Sequence, residues 1–490
     1  RAQRRLRDIA HSCDRQPVFC LDIKKKGGSQ RMSLQFIFGN SGSGKSHYLY
    51  QQIVEESIRH PEKNYLVLVP EQFTMQTQKD LCMAHPRGGI MNIDVLSFGR
   101  LAHRVFEETG KERQPILDDE GKNLVLRKIA GNYEDELTVL KANLKKQGYI
   151  SEVKSVISEF TQYGIDFEQL DSFMEGLNPE SYLYYKLKDI RKVYEGFEDY
   201  LRDKYITKEE LLDVLSQNVA EAKMLKDSVI AMDGFTGFTP VQNRLIGELL
   251  KVCDKIMLTV EIDRREDPFV YKHPYQLFAL SKQMVTSLTE VAQEVKVEID
   301  EPVWLCKNPP YRFKENPEMA FLEEELFRYS RRKYSGKKMQ SISLHEVHTP
   351  QEEAQYVAEE IRRLVREEGY RYREIAVIAS DLNTYADSLE KACERYEIPV
   401  FMDHKKSILL NSFVEYLRSL LVMVEQNYTY ESVFRYLRTS LCGFTRDEVD
   451  RLENYCLALD LKGFKKWDQV WVRKTLMTTK EELEELNQLR

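Results

Sequence analysis

Several features are scarce in this chain of 490 residues, and each scarcity closes off a class of function. No uninterrupted apolar stretch approaches the ~18 residues that a membrane-spanning helix requires. The eight cysteines are scattered, with no CxxC pair and no spacing of the zinc type, so neither a disulfide framework nor a structural metal is written in them. Cys82, Cys253, Cys393, Cys442 and Cys456 fall within helix or strand patterns and read as small core residues, reduced in a cytoplasmic protein. There is no excess of basic charge. With a net charge of -7, any binding of nucleic acid must come from a local patch. Internal repeats and low-complexity tracts are also missing. What remains is ordinary globular composition, 42% hydrophobic and 31% charged, which is too apolar for general disorder. The length allows about three domains of ~150 residues.

Against that background one stretch is dense with chemistry. From Phe36 the chain reads FIFGNSGSGKSHYLYQQIVEE, in which Gly39 is followed by four residues and then by Gly44, Lys45 and Ser46. A loop that turns several backbone N–H groups onto phosphate oxygens needs small or absent side chains, and Gly39, Gly42 and Gly44 meet that need among Asn40, Ser41 and Ser43. Lys45 is the cation expected at the β- and γ-phosphates, and Ser46 the hydroxyl expected on Mg²⁺. The helix that follows would turn its positive dipole end to the anion. The context agrees: Leu34 to Phe38 is strand-like, and Leu49, Ile53, Val54 and Ile58 recur at helical spacing. A glycine and serine turn with a solvated lysine is the plain alternative; the strand and helix frame favours binding of ATP.

Further along, Tyr65 to Val69 and Ile93 to Phe98 are short β-type runs, each leading into a helical pattern, as a parallel α/β sheet requires. Long charged amphipathic helices then take over until strand patterns return at Val229 to Met232 and Ile256 to Val260. A second α/β unit is expected around SISLHEVHTP and EIAVIASD, which flank a helix from Pro350 to Glu367. The division is therefore 32–117 for the first part of a P-loop domain, 118–228 for a helical insertion, 229–340 for its continuation and linker, and 341–490 for a second motor-like domain with the start of a helical insertion. Residues 1–31 lack a signal-peptide core and read as a non-native or upstream extension before Met32, with a basic nucleic-acid-binding arm as the alternative. The C-terminal TTKEELEELNQLR stops within a helical pattern, which suggests truncation.

Specific strings then carry a resemblance. VLSFGRLAHRVF, MDGFTGFTPVQNRLIGELL and EEAQYVAEEIRRLVREEGYRYREIAVIASD, together with VPEQ at 69–72, resemble superfamily 1 helicases of the UvrD/RecB group. More closely they resemble the AddB subunits of bacterial AddAB helicase/nucleases. The resemblance runs from Met32 nearly to the end, with its specificity in four short motifs. It implies a RecA-like P-loop domain carrying a helical insertion, followed by a second RecA-like α/β domain. It also implies ATP and Mg²⁺ as cofactors, an AddA-type partner subunit in a heterodimer, and single- and double-stranded DNA as partners. A nuclease domain with an iron–sulfur cluster would lie only in a C-terminal part beyond Arg490. No residue of this chain reads as nuclease machinery.

Departures from the motor pattern qualify this. A hydrolysing motor needs an acid to hold Mg²⁺ and usually an adjacent glutamate to activate water. Asp233 fits the first task, but Gly234 occupies the next position. LTVEIDRREDPF lacks the G-D-x-x-Q string, and Ser380 stands about where a phosphate-facing arginine is expected. The expectation is a degenerate motor that binds ATP while its partner translocates, with no catalytic residue in this chain. An active superfamily 1 motor and a P-loop enzyme unrelated to DNA remain the alternatives. For DNA, Gln72 and Thr74 follow one strand, and Phe98, Arg100, His103 and Arg104 the next, so both sets lie at carboxyl ends of parallel strands. An aromatic ring beside arginines suits single-strand binding. The resemblance implies that this surface scans for the recombination hotspot sequence Chi.

Overall fold

Val67 and its neighbours from Tyr65 to Val69 form an uncharged, largely apolar run, the pattern of a strand covered on both faces inside a parallel sheet. The computed structural model describes residues 32–110, 115–143, 146–202, 204–336, 339–403, 408–475 and 478–490. The expectations for residues 1–31 lie outside them. The chain forms two compact units, divided between Ser343 and Leu344.

In the first unit, β1 (Ser33–Gly39), β2 (Tyr65–Leu68), β3 (Ile93–Leu96), β6 (Val229–Met232), β7 (Lys255–Glu261) and β8 (Glu298–Ile299) lie in the order β3-β2-β6-β7-β1-β8, and β9 (Val303–Leu305) also pairs with β1. Every pairing is parallel. Parallel neighbours cannot be joined by tight turns, so each crossover carries a helix. These include α1 (Lys45–Arg59), α2 (Thr74–Ala84) and α3 (Phe98–Thr109), then Pro240–Leu250 and Ala279–Glu294. Two cores cover the sheet. One joins Phe36, Phe38, Leu101, Val105 and Leu245; the other joins Ile37, Leu49, Ile53, Val67 and Met257.

Between β3 and β6 the chain leaves the sheet. Helices Asp119–Asn132, Gln147–Tyr163, Phe167–Glu175 and Tyr182–Leu201 bury a separate core around Leu126, Ile157, Val193 and Phe197. A short parallel ladder of β4 (Ile116–Leu117) with β5 (Ile206–Thr207) closes its base. Buried Asp189 accepts backbone N–H bonds from Thr138, Val139 and Leu140 at 2.7 to 3.1 Å, holding the turn between the first two helices. The sequence pattern predicts an insertion reaching residue 228. Its own core instead ends near Tyr205, and from Leu211 the chain packs back on the sheet through Leu215, Val219 and Leu225.

The second unit is helical in what it buries. Pro350–Glu367 and Leu382–Arg395 pack through Ala354, Ala358, Leu389 and Cys393, while Phe434, Leu437, Leu452, Tyr455 and Trp471 build another cluster. The strand-like stretches beside Pro350–Glu367 run without ladder partners among the described residues, and Ile378 is 95% exposed. A strand persists only where its N–H and C=O groups meet a neighbour, which no described residue supplies there. No helix among the described residues is long and apolar enough to cross a membrane.

Candidate nucleotide and nucleic-acid site

The carboxyl end of β1 runs straight into the glycine loop. Gly42 and Gly44 take φ of +73° and +92°, the left-handed region where a Cβ is penalised. Gly42 is also closed in: a Cβ there would stand 2.8 Å from the Cβ of Arg312. At Gly39 a Cβ would stand 2.4 Å from Ser43 Oγ and 2.9 Å from the Leu305 carbonyl. Gly39 and Gly42 are therefore positions where the cradle admits no side chain, and Gly44 is one where the backbone favours glycine.

Two polar groups in it lack the partners a phosphate would give. The Ser43 hydroxyl is buried without a hydrogen bond, and the Lys45 ammonium donates to the Asn40 carbonyl at 2.9 Å. Burial pushes the Lys45 pKa down, against the opposing pull of Glu261 and Asp233. These features fit a bound polyphosphate: the cation is aimed into the loop, and a phosphate would relieve its desolvation. Asn40 is itself held by Glu323, Nδ2 to Oε2 at 2.9 Å, and the Arg312 N–H donates to the Gly42 carbonyl at 3.0 Å. The segment after β9 thus straps the loop. Arg312, Phe313 and Glu323 were not anticipated from the sequence, since nothing in their local spacing points to Gly42.

Asp233, at the end of β6, is 7% exposed and meets Ser46: the serine hydroxyl donates to Oδ1 at 3.1 Å. Thr259 of β7 donates to the same oxygen at 2.5 Å, and Tyr50 of α1 donates to Oδ2 at 2.8 Å. Ser46 and Asp233 are the pair that would hold Mg²⁺. Gly234 follows at φ +77°, with Pro70 and Phe73 about the space a side chain would enter. The glutamine of FTPVQ serves the fold: Gln242 Oε1 accepts the Thr239 N–H at 2.9 Å, and the Gln242 N–H is returned to Thr239 Oγ1, a capping box opening Pro240–Leu250. Where the G-D-x-x-Q string is missing, Asp263 pairs with Arg265 at 2.5 Å and Arg328 at 3.0 Å, while Arg328 and Lys282 share Glu266.

The residues expected from the sequence to meet DNA divide. Strands β2 and β3 are neighbours, and the Val69 N–H donates to the Leu96 carbonyl at 3.0 Å, so the short turn bearing Gln72 and the first turn of α3 bearing Arg100 emerge side by side. Both side chains are exposed, and His103 is half-buried. Phe98 requires a correction as a stacking ring. It is 7% exposed and packs against Phe235 and Phe238, with centroids 5.5 and 6.2 Å away. The signal was present in the sequence, because Phe98, Leu101, Ala102 and Val105 form one helical stripe. Thr74 is corrected likewise: it is 3% exposed, and its hydroxyl donates to the Glu71 carbonyl at 3.0 Å. Arg104 is tied to Asp94 at 2.9 Å. The ring that does stand free is Phe73, 48% exposed beside Gln72. No group of three or more potential metal-ligating His, Cys, Asp or Glu side chains occurs among the described residues.

A glycine cradle at the end of an interior parallel strand, a half-buried cation in it and an acid facing its serine define a P-loop nucleotide-binding α/β protein. Comparison with known proteins carries this further. The family described as ADDB, N-terminal, matches residues 36–323, and this chain belongs to it. A UvrD-like helicase C-terminal domain matches residues 316–487. The chain is 41% identical over 462 residues to the B-type subunit of the ATP-dependent helicase/deoxyribonuclease of Lachnoclostridium phytofermentans, covering 94% of this chain and 40% of that protein. Proteins of the same name from Clostridium perfringens and Acetivibrio thermocellus are 34% and 32% identical, with the same coverage. The chain thus spans about 40% of the length of the curated relatives it matches.

Proposed function

We propose that this chain is the nucleotide- and DNA-holding part of an AddB-type subunit in a heterodimeric ATP-dependent helicase/deoxyribonuclease that processes double-strand breaks for recombinational repair. In this reading its P-loop unit binds ATP with Mg²⁺ but does not turn it over, and an AddA-type partner drives translocation. The surface at Gln72, Arg100 and His103 reads the passing single strand for a recognition sequence. Mg²⁺, when bound, would supply positive charge that offsets the phosphates' negative charge. The chain's own contribution is the glycine cradle, the Lys45 cation and the Ser46–Asp233 pair.

The observation that carries the reading is Asp233 followed by Gly234 at φ +77°: the acid for a cation is in place, and the position for a water-activating carboxylate has no side chain. The test is Lys45→Ala. Removing the half-buried cation should weaken ATP binding about 100-fold, read by calorimetry, while the melting temperature holds. Unchanged affinity would end the nucleotide reading. Strong DNA-stimulated phosphate release by the unmutated chain would mark it as an active motor.

A further inference from the structure

Asp233 has both carboxylate oxygens engaged by protein hydroxyls. Ser46 and Thr259 serve Oδ1, and Tyr50 serves Oδ2 at 2.8 Å. The Tyr50 oxygen also lies 3.3 Å from the Thr77 hydroxyl on α2. Because the tyrosine proton is committed to Asp233, Thr77 is the donor to Tyr50, which gives a relay from Thr77 to Tyr50 to Asp233. Thr77 and Asp233, the two ends of this relay, are 4% and 7% exposed. Helix α2 starts directly after Gln72 and Phe73, and Phe73 borders Gly234.

A buried carboxylate needs compensation from a cation or from hydrogen-bond donors. The more of it the protein supplies, the less the site depends on metal. We propose that Tyr50 is a positioning residue that lowers the divalent-cation demand of nucleotide binding by donating to Asp233, and that it ties α2 to this acid through Thr77. The proposal rests on the nucleotide reading above. Tyr50→Phe keeps the ring and removes only the hydroxyl. Asp233 Oδ2 then loses its donor and stands less compensated beside the phosphates, so metal-free ATP is repelled, whereas Mg²⁺ restores the balance.

The experiment measures ATP dissociation constants in the full-length protein without its partner, once in excess Mg²⁺ and once in EDTA. The ratio of the metal-free to the Mg²⁺ constant should rise about tenfold in Tyr50→Phe, the worth of one hydrogen bond to a charged group. In an Asp233→Asn background the same substitution should leave the ratio unchanged, since the charge it compensates is gone. An equal ratio in unmutated protein and Tyr50→Phe would overturn the proposal. So would the same tenfold change in the Asp233→Asn background, which would place the effect in packing. If unmutated protein binds ATP no better than Lys45→Ala, the nucleotide reading itself falls, and this proposal with it.

Discussion

At the scale of the residue, Gly234 shows that a missing side chain can be a property of the backbone. Its φ of +77° lies where L residues are strained, although Pro70 and Phe73 would meet an added Cβ only at ordinary contact distances of 3.7 and 3.9 Å. Supplying the absent acid is therefore not a simple restoration. Gly234→Glu should destabilise the chain by ~1–2 kcal/mol, the cost of left-handed backbone for a residue with a Cβ, and should leave phosphate release at background. Denaturant melts and a phosphate-release assay check both halves. Appearance of DNA-stimulated turnover in the variant would mean that the loop relaxes and that the side chain alone was lacking.

At the scale of the element, helix Tyr182–Leu201 of the insertion carries a carboxyl group out of its ordinary range. Burial first, and then the negative charge of Glu210, push Glu198 up to about 7 from 4.5. A raised acid holds a proton in the folded chain that the unfolded chain has released. The contribution of this group is thus fully present below the ordinary value, declines as pH rises, and is lost once pH passes about 7. Glu198→Gln, which stays neutral throughout, should raise the melting temperature at pH 8 by roughly 2–4 °C and leave it unchanged at pH 4. Equal effects at both pH values would point to a packing change. The helix itself was legible in the sequence from its 3.6-residue apolar stripe. The shifted carboxyl was not, because Glu210 reaches it only when the chain turns back after β5.

At the scale of the whole molecule, the sheet order brings the loops after β2 and β3 to one edge of the nucleotide face, where Gln72, Phe73 and Arg100 are exposed. Phosphate contacts supply affinity, and base-edge contacts supply sequence discrimination. Under the function proposed above, in which this chain works in a two-subunit enzyme, Arg100→Ala should weaken the response to a recognition sequence, at a cost of ~1–3 kcal/mol per lost base contact, while unwinding driven by the proposed partner continues. The readout is the fragment pattern from DNA with and without that sequence. If Arg100→Ala stops unwinding and preserves the sequence response, this face belongs to a working motor. Phe98 is unsuited to the same test, because its ring is core and its loss would loosen α3.

The sequence by itself determined the glycine cradle, Lys45 and Ser46, and the helices that follow β1, β2 and β3, because each depends on residues within a few positions of one another. It also held the stripe that buries Phe98, in a period that the motif around it obscured. Only the tertiary structure decided what surrounds the cradle. Ser46 meets Asp233 across 187 residues of chain and Asn40 meets Glu323 across 283, and Tyr50, Thr259 and Arg312 join them through the packing around the sheet. No local spacing encodes such meetings. They follow from which strand lies beside which, and that order is set by the burial of entire strand faces against helices and not by any short string.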